Sequence, residues 1–371
     1  MAVKNILYLN HVSEMGGGSF SLFQLITHLD RGQYKPILLT QMPGSLSKMA
    51  AAEGIETYFL QMPGWRKVRY AFRKQLVTLP SLKRLVKKLK IDLIHCNAYR
   101  LNSYGVLISK CIHVPCITHV RWFNRKDHIR KFNLSKTDLL ITVSDYIASF
   151  FSGSRAKVRT IYNGIEISKF LKNKDSRKKI RNEFKIAENA ILIGMVAALT
   201  PTKGHKDFIK AAALVKKILP NAEFLAVGGP ILEKQLSIND LKQYARQVGA
   251  DNVLFAGNRE DVADIYSALD YFVLPSHIEP FGRVIIEAMA SKVPVIATKC
   301  GGPEEIITDR KNGLLIPVKS PDAIAEKIVE LAENPGLARG LVDSAFKTVN
   351  EKFDISCYVN NVERVYRDFL G

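Results

Sequence analysis

Short apolar runs alternate with amphipathic stretches from one end of this chain to the other. In the first half the runs fall at residues 6–9, 36–40, 57–60, 93–96, 116–119, 139–143 and 159–162. In the second half they fall at 192–196, 223–227, 253–255, 271–274, 295–297 and 314–316. Runs this short, rich in Val, Ile and Leu, read as strands covered on both faces. Helical spacing of apolar residues fills the intervals, for example at 19–29, 103–111, 206–219, 261–268, 285–290 and 322–331. Such alternation predicts βαβ units and parallel sheets. A chain of 371 residues has room for two domains. Asn163-Gly164 is a turn signal, and the polar stretch to Lys179 has no strong apolar period. The expected architecture is α/β, with two doubly wound, Rossmann-like domains at 1–165 and 166–355. A last helix over 356–371 follows from the apolar spacing in 359–370. Doubly wound sheets bind ligands outside the carboxyl ends of their strands, so the two would face a central cleft.

The loop after the run 271–274 carries the most chemistry. It leads into Glu279-Pro280-Phe281-Gly282-Arg283-Val284-Ile285-Ile286-Glu287, which passes into a helix start. Glu279 precedes a proline and is biased away from helical backbone, while Pro280 fixes φ for a helix lead-in. Gly282 lets a ligand come close to the chain. The free amides of a first helical turn form an anion site. Ionised carboxylates only accept hydrogen bonds, so Glu279 and Glu287 suit vicinal hydroxyls on either side of that site. The string fits a nucleotide-sugar. An ordinary helix start with one surface Glu is the bland alternative.

Other loops at strand ends add to this reading. Met15-Gly16-Gly17-Gly18-Ser19 follows the first run, and its glycines allow a tight turn and amides that approach a diphosphate or an acceptor. It is neither G-x-G-x-x-G nor a Walker A sequence. Thr200-Pro201-Thr202-Lys203-Gly204-His205 follows the run 192–196, and Lys203 there can neutralise a diphosphate leaving group. His119 ends the run 116–119. It could contact a sugar hydroxyl or stabilise developing charge, and a packed or capping His is an equal reading. Gly301-Gly302-Pro303-Glu304-Glu305 reads as a structural turn or as a binding loop on the face of Glu279. No His has metal-ligand spacing and no Asp-x-Asp occurs, so no metal is expected.

Charge changes the picture of the first half. The net charge is +19; residues 1–165 hold 25 Lys and Arg against 8 Asp and Glu, and the rest hold 29 against 27. An anionic partner for the first half is implied. Trp65, Arg66, Lys67, Arg69, Arg73 and Lys74 combine bases with aromatics, as membrane-surface segments do. The stripe Leu82, Leu85, Val86, Leu89 just downstream reads as core. No nucleic-acid motif accompanies the charge. Five scattered cysteines, no signal-peptide pattern and no membrane-spanning apolar run point to a cytoplasmic protein, peripheral at the inner face of the membrane.

Together these residues resemble the retaining glycosyltransferases of family 4, which have the GT-B fold. The resemblance covers nearly the whole chain and is densest between Asn252 and Val318, in 271–276, 279–290, 294–297 and 301–306. Val196–Gly204, Thr142-Val143-Ser144 and Ile161-Tyr162-Asn163-Gly164-Ile165 also match. By similarity, Glu279 would hold the donor sugar, Glu287 the ribose and Lys203 the diphosphate. Phe281 and Gly282 would offer backbone amides, with Arg283 and Val284 beside them in the donor site. Gly16 and Gly17 would line the cleft from the opposite domain, with His119 near the donor sugar. The C-terminal helix would cross back to the N-terminal domain. The family transfers a sugar from a UDP- or GDP-sugar with retention, usually without a metal or other cofactor. The basic first half would be the acceptor domain, which suits a lipid-diphosphate-linked or polysaccharide acceptor. An epimerase of the same fold and a non-catalytic subunit are the alternatives. Two departures stand out. Ala198 occupies the place of an Arg that normally shares the diphosphate, leaving that role to Lys203 and another cation such as Arg283. Lys292 occupies the place of a Gly, a matter of local turn geometry. The base would be read around Gly257-Asn258-Arg259.

Overall fold

The computed structural model describes residues 2–64, 69–123, 125–230 and 236–371, with residues 69–77 in backbone only. The chain forms two compact units, one of Met1–Gly164 with Ile355–Gly371 and one of Ile165–Asp354.

In the first unit the strands are β1 (Lys4–Leu9), β2 (Tyr34–Thr40), β3 (Glu56–Phe59), β4 (Leu93–Cys96), β5 (Cys116–Val120), β6 (Leu139–Thr142) and β7 (Val158–Thr160). They pair in the order β3-β2-β1-β4-β5-β6-β7, all parallel. β4, β5 and β6 are buried at every position, which is why their sequences run apolar without alternation. The strand order reverses between β1 and β4, so the loops after them open a switch point. One face is covered by the helices Gly17–His28 and Ile355–Leu370. Tyr358, Val359, Val362, Val365 and Tyr366 of the latter sit in the same core as Leu22, Leu25 and Ile26. At roughly 2 kcal/mol for each buried side chain, that stripe keeps the C-terminal helix docked. On the other face Leu82 and Val86 join Leu7, Leu9 and Ile94 in a second core, with Leu85 and Leu89 against it. The leucine stripe is core, and its helix runs Arg69–Lys88, through Pro80.

The second unit holds β8 (Ile191–Val196), β9 (Ala222–Val227), β10 (Val253–Gly257), β11 (Tyr271–Leu274), β12 (Val295–Thr298) and β13 (Leu314–Ile316). Their order is β10-β9-β8-β11-β12-β13, again parallel. The reversal falls between β8 and β11. The loops after β8, β11 and β12 therefore leave neighbouring strand ends, and these are the loops with Lys203, Glu279 and Gly301.

Candidate functional site

In the second unit two loops are clamped together. Gly204 caps the helix His205–Lys216 with φ 73°, and a Cβ there would lie 1.9 Å from the Pro275 carbonyl oxygen. Only glycine permits that approach. The His277 amide donates to the Thr202 carbonyl at 2.7 Å, and its Nε2 lies 2.6 Å from Asp207 Oδ2. His277 and Asp207 escaped sequence reasoning, because 70 residues separate them and no local spacing pairs them. The clamp brings Lys203 Nζ to donate to Glu279 Oε2 at 2.5 Å. The residues expected to take the diphosphate and the sugar hold each other.

The Gly301-Gly302 loop supports Glu279 by backbone. Glu279 N donates to Cys300 O at 3.3 Å, and Gly302 N donates to Glu279 O at 2.9 Å. A Cβ on Gly302 would lie 2.3 Å from Phe281 Cα. The Phe281 ring is buried and meets Phe353 edge-on at 5.9 Å. Gly282 adopts φ 99°, a left-handed conformation natural to glycine, and caps the helix Arg283–Ala290.

Glu287 is not the surface acid of the bland alternative. It is 3% exposed. Its Oε1 accepts from Arg283 Nε at 2.8 Å and its Oε2 from the Tyr266 hydroxyl at 3.1 Å. That hydroxyl also lies 3.3 Å from the Val284 carbonyl oxygen. Burial, and then the Glu287 charge, push the Tyr266 phenol well above its ordinary range, so it remains a donor. Arg283 is bound to Glu287 rather than left as a stand-alone phosphate cation. Arg259 is likewise committed. It forks onto Asp261 at 2.8 and 2.7 Å and pairs with Glu183. Lys292 adopts φ 53°, which explains why a glycine suits that position; its Nζ lies 4.7 Å from the centre of the Phe346 ring.

In the first unit the glycine loop differs from the tight turn expected of it. Gly16 is extended, at φ −164°, and a Cβ on Gly16 or Gly17 would meet nothing within 4 Å. The two glycines leave open space over the backbone instead. Gly18 is crowded, its virtual Cβ lying 3.2 Å from Arg121 Cδ. Arg121 donates to Asn97 Oδ1 at 2.9 Å, Asn163 Oδ1 at 2.8 Å and the Tyr358 hydroxyl at 3.1 Å. Asn97 Nδ2 in turn donates to Asn10 Oδ1 at 2.9 Å and Gly18 O at 3.3 Å. Arg121 and Asn97 thus fix the loop after β1 to the ends of β4 and β5. Sequence reasoning passed over both; the available signal was a cation immediately after the carboxyl end of β5.

His119 is fully buried. Its Nδ1 lies 3.2 Å from His95 Nε2, while its Nε2 has no hydrogen-bond partner among the described residues. Burial, helped by Arg121 and His95, pushes its pKa well below the ordinary range. A neutral, wholly buried ring is held at this strand end, as the packed reading of this His requires. Of the basic–aromatic segment, Trp65, Arg66 and Lys67 lie outside the described residues, and Arg69, Arg73 and Lys74 are described in backbone only, within the helix Arg69–Lys88. Among the described residues no helix is long and apolar enough to cross a membrane.

Comparison with known proteins agrees with both units. A family model described as "Glycosyl transferases group 1" matches residues 176–348, and one described as "Glycosyltransferase Family 4" matches residues 15–169. An uncharacterized glycosyltransferase of Methanocaldococcus jannaschii is 28% identical over 313 residues, 76% of this chain and 77% of that one. The UDP-Gal:alpha-D-GlcNAc-diphosphoundecaprenol alpha-1,3-galactosyltransferase of Escherichia coli is 26% identical over 326 residues, 80% of each chain. The crystal structure of Anabaena HepE in complex with UDP-glucose shares the fold, with TM-score 0.86 and 23% identity over 98% of this chain and 99% of that one. Two Rossmann-like α/β units of the GT-B type, each matched by its own half of the family, place this chain among the group 1 glycosyltransferases of family 4.

Proposed function

We propose that this transferase takes a nucleoside diphosphate sugar, UDP- or GDP-linked, and passes the sugar with retention to a lipid-linked or polysaccharide acceptor in cell-surface glycan biosynthesis. The observation that carries the reading is the Lys203–Glu279 pair beside the glycine-capped helix start. A cation and a carboxylate held together there have opposite affinities for the two parts of such a donor. Lys203 takes the diphosphate, and Glu279 takes sugar hydroxyls. Donor entry exchanges one ion pair for these two sets of contacts. The backbone amides of Phe281, Gly282 and Val284 serve the phosphate and sugar, and Glu287, oriented by Arg283, receives ribose hydroxyls.

In the reaction the bond from C1 to the diphosphate oxygen breaks, and a bond from C1 to the acceptor oxygen forms on the same face. The acceptor proton passes to the departing diphosphate. The chain contributes position and charge rather than a nucleophile. Lys203 and the helix start supply the compensating charge, and no metal or other cofactor is assigned. The substrates named for the Escherichia coli relative, UDP-Gal and a diphosphoundecaprenol-linked GlcNAc, belong to the classes proposed. The basic first half favours a cytoplasmic enzyme peripheral at the inner membrane face, with Trp65–Lys74 as the contact.

A thermal-shift panel of UDP- and GDP-sugars identifies the donor, and transfer to lipid diphosphate acceptors then gives the product. NMR of the product anomer is expected to show the donor's configuration, and an inverted product would refute retention. Chelator should leave the rate unchanged. Flotation with anionic vesicles, set against nucleic-acid binding at matched salt, tests the basic half.

A further inference from the structure

Among the described residues, three hydrogen bonds join the segment 200–207 to the segment 275–279. Lys203 Nζ donates to Glu279 Oε2 at 2.5 Å. The His277 amide donates to the Thr202 carbonyl at 2.7 Å, and His277 Nε2 lies 2.6 Å from Asp207 Oδ2. His277 thus makes two of the three links, and they bracket Lys203. One holds the residue before it by backbone. The other holds, by side chain, a residue about one helical turn after it. An ionised carboxylate only accepts, so Nε2 bears the proton of that bond. Asp207 stands in the first turn of the helix His205–Lys216, so the imidazole is tied to the rigid start of a helix.

These links do not share one fate when a donor enters. The exchange at Lys203 and Glu279 opens their ion pair. Glu279 keeps its place, because its backbone is bonded to Cys300 and Gly302. Lys203 N donates only within its own turn, to the Thr200 carbonyl at 3.0 Å. The turn is Pro201–Lys203, followed by Gly204 at φ 73°. With the ion pair gone, the two bonds of His277 and the packing of Gly204 on Pro275 are what still join the segments. The amide bond forms whatever residue stands at 277, so the contribution of the side chain is the bond to Asp207. Both side chains are sheltered, at 26% and 16% exposure, and neither His277 nor Asp207 is assigned to the donor.

We propose that His277 and Asp207 are positioning residues for the transfer, whose side-chain bond holds Lys203 against the leaving diphosphate once the donor has taken Lys203 from Glu279. This rests on the reading of Lys203 as the cation of the diphosphate. The free chain and the donor complex are then braced differently. In the free chain the Lys203–Glu279 pair covers for a missing imidazole. In the complex that cover is gone, and a cation displaced by about 1 Å costs up to about 100-fold in rate.

The test places His277→Ala in the wild-type chain and in Lys203→Ala. Calorimetry uses free UDP and GDP; kinetics use the donor that the thermal-shift panel selects. In the wild-type chain His277→Ala is expected to weaken the nucleoside diphosphate about threefold to tenfold. It should lower kcat by about 10- to 100-fold, more than it raises the donor KM, because the charge facing Lys203 grows as the bond to the diphosphate breaks. In Lys203→Ala the same change should alter neither quantity by more than about twofold, since a residue acting through Lys203 has nothing left to position. His277→Gln, which can still present an N–H to Asp207, should return kcat to within about threefold of wild type. Asp207→Ala should match His277→Ala, and the double variant should be no worse than either. An equal loss in both backgrounds, or wild-type diphosphate binding and kcat in His277→Ala, overturns the proposal, as does a double-variant loss equal to the product of the single ones. If His277→Ala fails to fold, Asp207→Ala in the two backgrounds decides in the same way. Wild-type transfer and diphosphate binding in Lys203→Ala would instead refute the reading of Lys203 itself.

Discussion

Lys203 and Glu279 hold each other across two loops, Nζ to Oε2 at 2.5 Å, although 76 residues separate them in sequence. Both side chains are mostly covered, at 23% and 11% exposure. A pair this sheltered keeps two charged groups aligned and desolvated before a ligand arrives. That is the pre-organisation a departing diphosphate requires. It also means that each residue competes with the ligand for the other.

That competition separates the two roles. Lys203→Ala is expected to lower transfer by about 10²–10³-fold, the usual loss when a group facing developing charge is removed. It should also weaken free UDP or GDP. Glu279→Ala should lower transfer too, yet leave the free nucleoside diphosphate bound at least as tightly, because Lys203 no longer has a carboxylate to satisfy. Calorimetry with UDP and GDP on both variants reads this directly. Equal loss of diphosphate affinity in the two would show that the roles are misassigned.

Glu287 leads to a second expectation. Its two oxygens are held by Arg283 and Tyr266. Tyr266→Phe removes a buried donor and leaves Glu287 Oε2 under-satisfied, at a cost of about 1–3 kcal/mol in stability. If Glu287 receives ribose hydroxyls, its misorientation should raise the donor KM several-fold and change kcat little, since the ribose does not react. Steady-state kinetics beside urea unfolding check both halves. A kcat loss with KM unchanged would remove Glu287 from the ribose.

Most of the fold was legible because strands buried on both faces must be written as unbroken apolar runs. The runs at 93–96, 271–274 and 314–316 coincide with β4, β11 and β13. Ends blurred where polar residues extend a strand, as at Tyr34 and Lys35 of β2. The site loops were legible because the switch points of such sheets fix where ligands bind. Partner identity was not legible. Spacing carries nothing about His277 and Asp207, or about Arg121 and Asn163, which meet only through tertiary structure. The burial of Glu287 could have been read. Ile285, Ile286, Ala288, Met289 and Ala290 leave the helix no polar face, so a Glu within it goes inside.

Lys292 offers a test of backbone strain. A left-handed conformation costs a side-chain-bearing residue about 1–2 kcal/mol, and the contact with Phe346 returns about 0.5–1 kcal/mol. Lys292→Ala keeps the strain and loses the contact; Lys292→Gly loses both. The Gly variant is therefore expected to exceed the Ala variant in stability by about 1 kcal/mol and to fall close to wild type. Urea midpoints of the three proteins decide. An Ala variant as stable as the Gly variant would mean that the turn relaxes.

His205 sets an acid limit on stability. It is 2% exposed, at the start of the helix that follows Lys203. Burial pushes its pKa from the ordinary 6.5 to about 4. Below the unfolded value the unfolded chain takes a proton that the folded chain refuses, so protonation favours unfolding. Its contribution is fully present above 6.5, is lost as the pH falls toward about 4, and then levels off. The slope is about 1.4 kcal/mol per pH unit within that window. His95, pushed to about 3, acts in the same direction over a wider range. Carboxylates also titrate near the lower end, so the useful quantity is the difference between wild type and His205→Gln, in which their effects cancel. Between about pH 6.5 and about pH 5 the wild type should lose roughly 2 kcal/mol more than the variant in urea unfolding. Parallel pH profiles would mean that the folded chain takes the proton at His205 as readily as the unfolded chain does.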